Sequence, residues 1–383
     1  KVDNLIQEMQ DGSIGALITY KVNPSYNLHN AKEFNEALSK IDLTVSMSLY
    51  NDETASLMDY VCPEHHNLES WGDLHPSHNV YTLMQPTIAP LFNTRQFEDT
   101  LLNWIDGEDY YTYLTNFWRS KGVNWEKAVH DGFFSINDVE PKITRITPLD
   151  LDILSFENSS SGIEISIYEK IGIGDGTQAN NPWLQEFPDP ISRACWDNYM
   201  TISASTAREL NLKNWNVSNG ALNGSIVNIK VGNKIIEKVP VMIQPGQANN
   251  TVGLALGYGR KKAGKAANNV GFNAFPLLNA KTLTIESISG EHEFASIQLH
   301  HTMMGRDIVK ETTLADYIKD PASGNDRVTY PTFKGNLPSD KLSLYDEHDL
   351  ETGHFWNLSI DLSSCTGCGE CVISCQAENN VPV

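Results

Sequence analysis

Four of the six cysteines, Cys365, Cys368, Cys371 and Cys375, fall in one segment as C-x-x-C-x-x-C-x-x-x-C. Thiolates are the donors that soft iron–sulfur centres prefer, and this spacing is the ligand run of bacterial iron–sulfur proteins. Three cysteines separated by two residues each can wrap three corners of a cluster. The intervening Gly367 and Gly369 let the backbone approach and donate N–H groups to sulfur. A zinc site or free thiols are the competing readings, although zinc sites usually set two C-x-x-C pairs far apart. In two-cluster ferredoxins the fourth cysteine of such a run serves the other cluster. By that rule Cys365, Cys368 and Cys371 hold one [4Fe–4S] cluster and Cys375 a second. Cys62 and Cys195 are too distant in sequence to complete them, so the missing ligands are expected in a continuation of the chain. The opening Lys1-Val2-Asp3, without an initiating Met, fits the same expectation of a longer polypeptide. Gln376 stands where Pro commonly follows the fourth cysteine.

Other residues invite chemistry less strongly. His65, His66, His75 and His78 crowd one region with Glu64, Glu69 and Asp73, donors that could hold a metal. Their irregular spacing favours a hydrogen-bonding loop beside a cleft. Arg260, Lys261, Lys262 and Lys265 form the densest basic patch and adjoin Gly257 and Gly259. Such a loop suits a pyrophosphate, or else faces solvent or a partner. Gly172-Ile-Gly174-Asp-Gly176 lacks the third glycine and the following helix of a dinucleotide fingerprint and reads as a loop. Cys62 and Cys195 read as buried free thiols. No Ser-His-Asp or paired-carboxylate arrangement is defensible from spacing, so no catalytic residue is assigned.

The elements that must position these groups fall into two patterns. In the first ~145 residues, Gly15–Tyr20 and Leu43–Leu49 read as buried strands, with Ala31–Lys40 between them as a helix carrying Phe34, Ala37 and Leu38 on one face. Strand, helix, strand implies a parallel crossover and an α/β layer. Helices are expected from Arg95 to Trp104 and from Tyr110 to Lys121, the latter packing Tyr110, Tyr113, Leu114 and Phe117 into a core. From Ile143 to Ile297 short alternating runs predict a β-rich domain, a barrel, with strands at Gly162–Tyr168, Gly224–Val231, Lys238–Ile243 and Lys281–Ile285. One helix, Ser205–Leu210, interrupts it, capped by Ser203 or Ser205 and with Glu209 in its turn. Residues 305–355 hold no sustained period and read as an extended linker packed on the two domains.

Length and charge bound the rest. At 383 residues the chain exceeds the ~250–300 residues that one core serves, so two or more domains are expected. Its 28 Lys and Arg against 48 Asp and Glu give a net charge of −20. That balance repels phosphate backbones and anionic lipid, which excludes nucleic-acid binding driven by counterion release. No stretch approaches the ~18 apolar residues of a membrane-spanning helix.

Several long runs resemble the molybdopterin oxidoreductase superfamily. Asp52-Glu-Thr-Ala, Asp59–Asp73 and Gln85–Pro90 are similar to its late α/β domain. Trp183–Pro190, Gln244–Gly246, Leu256–Arg260 and Asn269–Phe275 are similar to its C-terminal dinucleotide-binding barrel. Followed by His300–Arg306 and the cysteine run, this order resembles the iron–sulfur subunits of bacterial alternative complex III, a quinol:cytochrome c oxidoreductase. The resemblance implies α/β plus β architecture: a partial molybdopterin oxidoreductase-like α/β domain over 1–142, a double-psi-type β-barrel over 143–300, a linker over 301–355, and the start of a ferredoxin-type domain over 356–383. It implies [4Fe–4S] clusters on Cys365, Cys368, Cys371 and Cys375, with molybdopterin absent from the cleft. The implied role is electron transfer from quinol toward a cytochrome c or terminal oxidase. The implied partners are a multihaem cytochrome c and integral membrane quinol-binding subunits, with the chain peripheral on the periplasmic face of the inner membrane. A catalytic molybdopterin subunit of the polysulfide-reductase type and a scaffold with an empty cleft are the alternatives.

Overall fold

The computed structural model describes residues 1–383 except 106, 137–161, 218–220, 298–302, 304, 307, 326–327, 347–348, 350, 355 and 381–383. The boundaries expected at 142/143 and 300/301, and most of the His300–Arg306 run, lie outside the described residues. Two units separate, one of Lys1–Ser296 with Gly369–Val383, the other of Ile297–Cys368.

The larger unit opens with an α/β layer. Strands β1 (Ala16–Tyr20), β2 (Leu43–Ser48) and β3 (Tyr60–Pro63) pair in parallel, Ala16 opposite Leu43 and Val45 opposite Tyr60. Helix α1 (Val2–Gln10) buries Ile6 and Met9, and α3 (Ala31–Leu38) buries Phe34, Ala37 and Leu38. These side chains meet in one core with Ile41 and Met58, because residues three and four apart on a helix share a face. The short α2 (Pro24–Asn27) precedes α3 and buries Tyr26. Among the described residues strand β3 pairs with β2 alone, and all four of its residues are exposed. That edge position puts Cys62 in solvent, correcting the expectation that it is buried.

A second small sheet follows, β4 (Gly72–Ser77), β5 (Val80–Met84) and β6 (Phe133–Ser135), all antiparallel. Helices α4 (Phe97–Trp104), α5 (Tyr110–Ser120) and α6 (Trp125–Asp131) lie between β5 and β6 in sequence. On α5 the buried residues are Leu114, Thr115 and Trp118, while Tyr113 and Phe117 are exposed. The expected aromatic face is therefore rotated: Trp118 donates its indole N–H to Asp73 at 2.8 Å and draws that side of the helix inward. Helix α6 carries its own start and stop signals, Asn124 capping the N–H of Lys127 and Gly132 in the left-handed region at φ 75°.

The remainder of this unit is a closed barrel. Strands β7 (Ile163–Tyr168), β9 (Met200–Ile202), β11 (Leu222–Val231), β12 (Lys234–Ile243), β13 (Thr251–Ala255) and β14 (Thr282–Ser296) run β11-β12-β9-β13-β7-β14, and β14 returns to β11. The ring leaves no free edge among those strands. Short β8 (Ala194–Cys195) and β10 (Asn214–Asn216) extend it at β14 and β11. The β9–β12 and β7–β13 pairs are parallel and the rest antiparallel. Met200, Ile202, Val227, Ile229, Val239, Val241, Val252 and Leu254 fill the interior. Helix α7 (Pro182–Glu186) precedes β8, and α8 (Ala204–Glu209) is capped by Ser203, whose hydroxyl accepts from Thr206 N–H at 3.1 Å. The unit ends with α10 (Glu370–Asn379).

The smaller unit is not featureless. It holds α9 (Leu314–Lys319), capped by Thr313, and a hairpin of β15 (Thr329–Thr332) and β16 (Gly335–Pro338). Both are too short to show a sustained hydrophobic period, and their side chains are mostly exposed.

Candidate metal centre and cleft

Cys371 and Cys375 lie one turn apart on α10 and so share a face. Cys365 and Cys368 belong to the smaller unit, and all four thiols are exposed. Gly367 and Gly369 both take φ of 72°, the left-handed conformation that glycine adopts without strain. Gly369 begins α10 with the Phe187 ring directly against its α-carbon, where a β-carbon would overlap the ring. Among the described residues no three His, Cys, Asp or Glu side chains converge on one metal position. The fit to a cluster therefore rests on the donor set: four thiols within eleven residues and two glycines in the loop conformation that frees N–H groups.

The histidine region does not assemble into a site. His65 and His66 line a cleft, His65 Nδ1 lying 2.5 Å from Thr94 Oγ1. His75 instead stacks on Tyr81 with ring centroids 4.4 Å apart. The nearby acids serve the fold. Glu69 accepts from His66 N–H at 2.8 Å and Leu91 N–H at 2.9 Å, and Asp73 holds Trp118. Glu64 pairs with Lys21 at 3.4 Å, and burial nonetheless raises its pKa.

The cleft, about 410 Å³, opens where β1 and β2 end, at Lys21, Val22, Leu49 and Tyr50. Opposite them stand Asp175, Thr177, Gln178 and Arg260 of the barrel. Carboxyl ends of parallel strands are the usual crevice for ligands in α/β sheets. Arg260, however, is not presented to a ligand. It is buried, and it forks onto Glu53 with Nη2–Oε2 2.8 Å and Nε 3.1 Å from each carboxylate oxygen. The N–H groups of Lys261 and Lys262 also donate to Glu53, at 2.7 and 3.0 Å, and Asn23 donates its amide at 2.8 Å. Burial by itself would raise the Glu53 pKa, but the Arg260 guanidinium and these donors hold it down at about 2. The side chains of Lys261, Lys262 and Lys265 are exposed.

Sequence reasoning did not single out Glu53. It also missed what the glycine loops do. Gly176 and Gly257 lie backbone against backbone, so that a β-carbon on Gly176 would stand 2.6 Å from the Gly257 carbonyl oxygen. The two loops interlock, and the Gly176 carbonyl accepts from Arg260 Nη1 at 2.6 Å. The residues present therefore do not fit a phosphate-bearing cofactor at this turn, because a carboxylate of the chain already satisfies its donors.

An α/β layer joined to a closed barrel, with a cleft between them, is a fold found in a solved structure. Acetylene hydratase from Pelobacter acetylenicus shares it, with a TM-score of 0.51 over 71% of this chain and 42% of that one at 14% identity. No family model matches the sequence. Two curated relatives come from one organism, Nitratidesulfovibrio vulgaris (Hildenborough). The first is the "Menaquinone reductase, molybdopterin-binding-like subunit", 23% identical over 290 residues, which are 72% of this chain. The second is the "Menaquinone reductase, iron-sulfur cluster-binding subunit", 62% identical over 26 residues, 7% of this chain and 10% of the relative. The chain spans about 40% of the length of the first relative it matches. Among the described residues no helix is long and apolar enough to cross a membrane.

Proposed function

We propose that the chain is an iron–sulfur electron-transfer subunit of a membrane-associated quinone oxidoreductase, its molybdopterin-like body serving as a scaffold. One observation carries this reading: a single chain resembles both the molybdopterin-binding-like and the iron–sulfur subunits of one menaquinone reductase. Cys365, Cys368, Cys371 and Cys375 are the ligands proposed for [4Fe–4S] clusters, completed by residues outside this sequence. The protein's part at each cluster is to fix the thiolates and tune potential through nearby N–H groups, charge and exposure. The proposed domains are α/β over 1–142, a double-psi-type barrel over 143–300, a linker over 301–355 and a ferredoxin-type domain from 356. The parallel β9–β12 and β7–β13 pairs within the ring support the double-psi assignment.

The finer assignment is the iron–sulfur subunit of alternative complex III, passing electrons from quinol to a multihaem cytochrome c or oxidase, bound to integral membrane quinol-binding subunits on the periplasmic face. It rests on the order of the pieces, a molybdopterin-like body ahead of the cysteine run. The relatives' name favours the opposite direction, quinone reduction. The polysulfide-reductase alternative needs a bound pterin, and the Glu53-filled turn argues against it.

The test is made on the intact complex. Iron and acid-labile sulfide are expected, molybdenum and tungsten are not, and Cys368→Ser should abolish electron flow and remove a paramagnetic cluster signal. Stoichiometric molybdenum, or undiminished flow in Cys368→Ser, overturns the reading. Turnover with menaquinol against menaquinone fixes the direction.

A further inference from the structure

We propose that the turn Arg260–Lys262 is an oxyanion site of the phosphate class which the chain has filled with its own Glu53 carboxylate. The donors are of the kind that hold phosphate: a guanidinium fork, two consecutive backbone N–H groups aimed at one oxygen, and a side-chain amide. All six contacts to the carboxylate fall between 2.7 and 3.1 Å. A simple ion pair needs one or two.

The cradle is also held by contacts that do not involve Glu53. Arg260 Nη1 donates to the Gly176 carbonyl at 2.6 Å, and its guanidinium carbon lies 4.6 Å from the centre of the Tyr26 ring. Asn269 N–H donates to the Arg260 carbonyl at 2.8 Å, and Asn268 Oδ1 accepts from the N–H groups of Ala263 and Gly264 at 2.8 and 3.2 Å. The donors therefore stay converged when the carboxylate is removed. Glu53 enters from the α/β layer, 207 residues away, on a loop fixed separately. Asp52 Oδ1 accepts from Thr54 and Ala55 N–H at 3.1 and 2.9 Å, and Asn23 Oδ1 accepts from Thr54 Oγ1 at 2.7 Å. A phosphate-bearing ligand entering the cleft must expel a half-buried, fully paired carboxylate, and leaving the buried Arg260 without its partner is costly. The filled cradle closes this end of the cleft to such ligands and ties the two layers together.

The experiment uses the full chain, with inorganic pyrophosphate as the probe against sodium chloride at matched ionic strength. Glu53→Ala vacates the cradle, whereas Glu53→Gln keeps it filled. Glu53→Ala should melt lower than wild type, and pyrophosphate should restore roughly half or more of the loss with saturation, as a ligand of the folded state does. Wild type and Glu53→Gln should respond to pyrophosphate no more than to chloride. If Glu53→Ala does not fold in chloride, the readout becomes folded yield in pyrophosphate. A Glu53→Ala protein, or a refolding yield, indifferent to pyrophosphate overturns the proposal. So does an equal response in wild type, or rescue by acetate and not by pyrophosphate, which would make the cradle a carboxylate site only.

Discussion

The phenolic hydroxyl of Tyr26 donates to the carbonyl oxygen of Tyr258 at 2.8 Å, joining residues 232 positions apart in the chain. This bond carries the α/β layer onto the barrel. The Tyr26 carbonyl is itself held by the Asn273 amide at 3.0 Å, and its ring packs edge-on to Phe275 at 5.1 Å. Tyr26→Phe keeps the packing and orphans a buried carbonyl. It should cost about 1 kcal/mol, read as a lower urea midpoint with an unchanged slope; an unmoved midpoint would show that water replaces the hydroxyl.

The Glu53–Arg260 pair makes a pH prediction. The Glu53 pKa falls from 4.5 to about 2 on folding, so its contribution is fully present above the unfolded value and is lost as pH drops from about 4.5 through about 2. Its size is of the order of 3 kcal/mol by linkage. Asp52 and Glu64, whose pKa values burial raises, act in the opposite sense, so the informative quantity is a difference. Glu53→Gln should lie below wild type in stability at pH 6 and converge on it toward pH 2. Parallel curves across that window would refute the pairing.

The two isolated thiols should react differently. Cys62 is exposed on the edge strand β3. Cys195 is buried, its Sγ contacts the Glu186 carbonyl oxygen at 3.1 Å, and burial pushes its pKa up to about 11. Reactivity follows the exposed thiolate. Iodoacetamide at pH 8 followed by peptide mapping should label Cys62 in the native protein and Cys195 only after denaturation. Early labelling of Cys195 would mean that β8 opens locally.

Gly369 and Phe187 set the seat of α10. Gly369→Ala adds a β-carbon into the ring and strains a left-handed backbone, the strain by itself costing about 1–3 kcal/mol. If the proposed cluster is bound, iron content should fall while barrel unfolding is unchanged, and adding Phe187→Ala should recover part of the iron by removing the overlap. No recovery in the double variant would assign the defect to backbone strain alone.

The local features were legible in the sequence. The cysteine run stands out by spacing because its proposed ligands are neighbours, and the strands Ala16–Tyr20, Leu43–Ser48 and Ile163–Tyr168 follow from short apolar or alternating runs, which are local signals. The Ser203 cap was equally local. Tertiary structure decided the rest. Which face of α5 is buried depended on Asp73 receiving the Trp118 indole, and the exposure of Cys62 depended on β3 being an edge. Whether the basic turn holds a ligand or an internal partner depended on a glutamate 207 residues away. Pairings of that range leave no periodic trace in a sequence. They arise only when packing brings the two layers together and low dielectric makes an unpaired Arg260 too costly to bury.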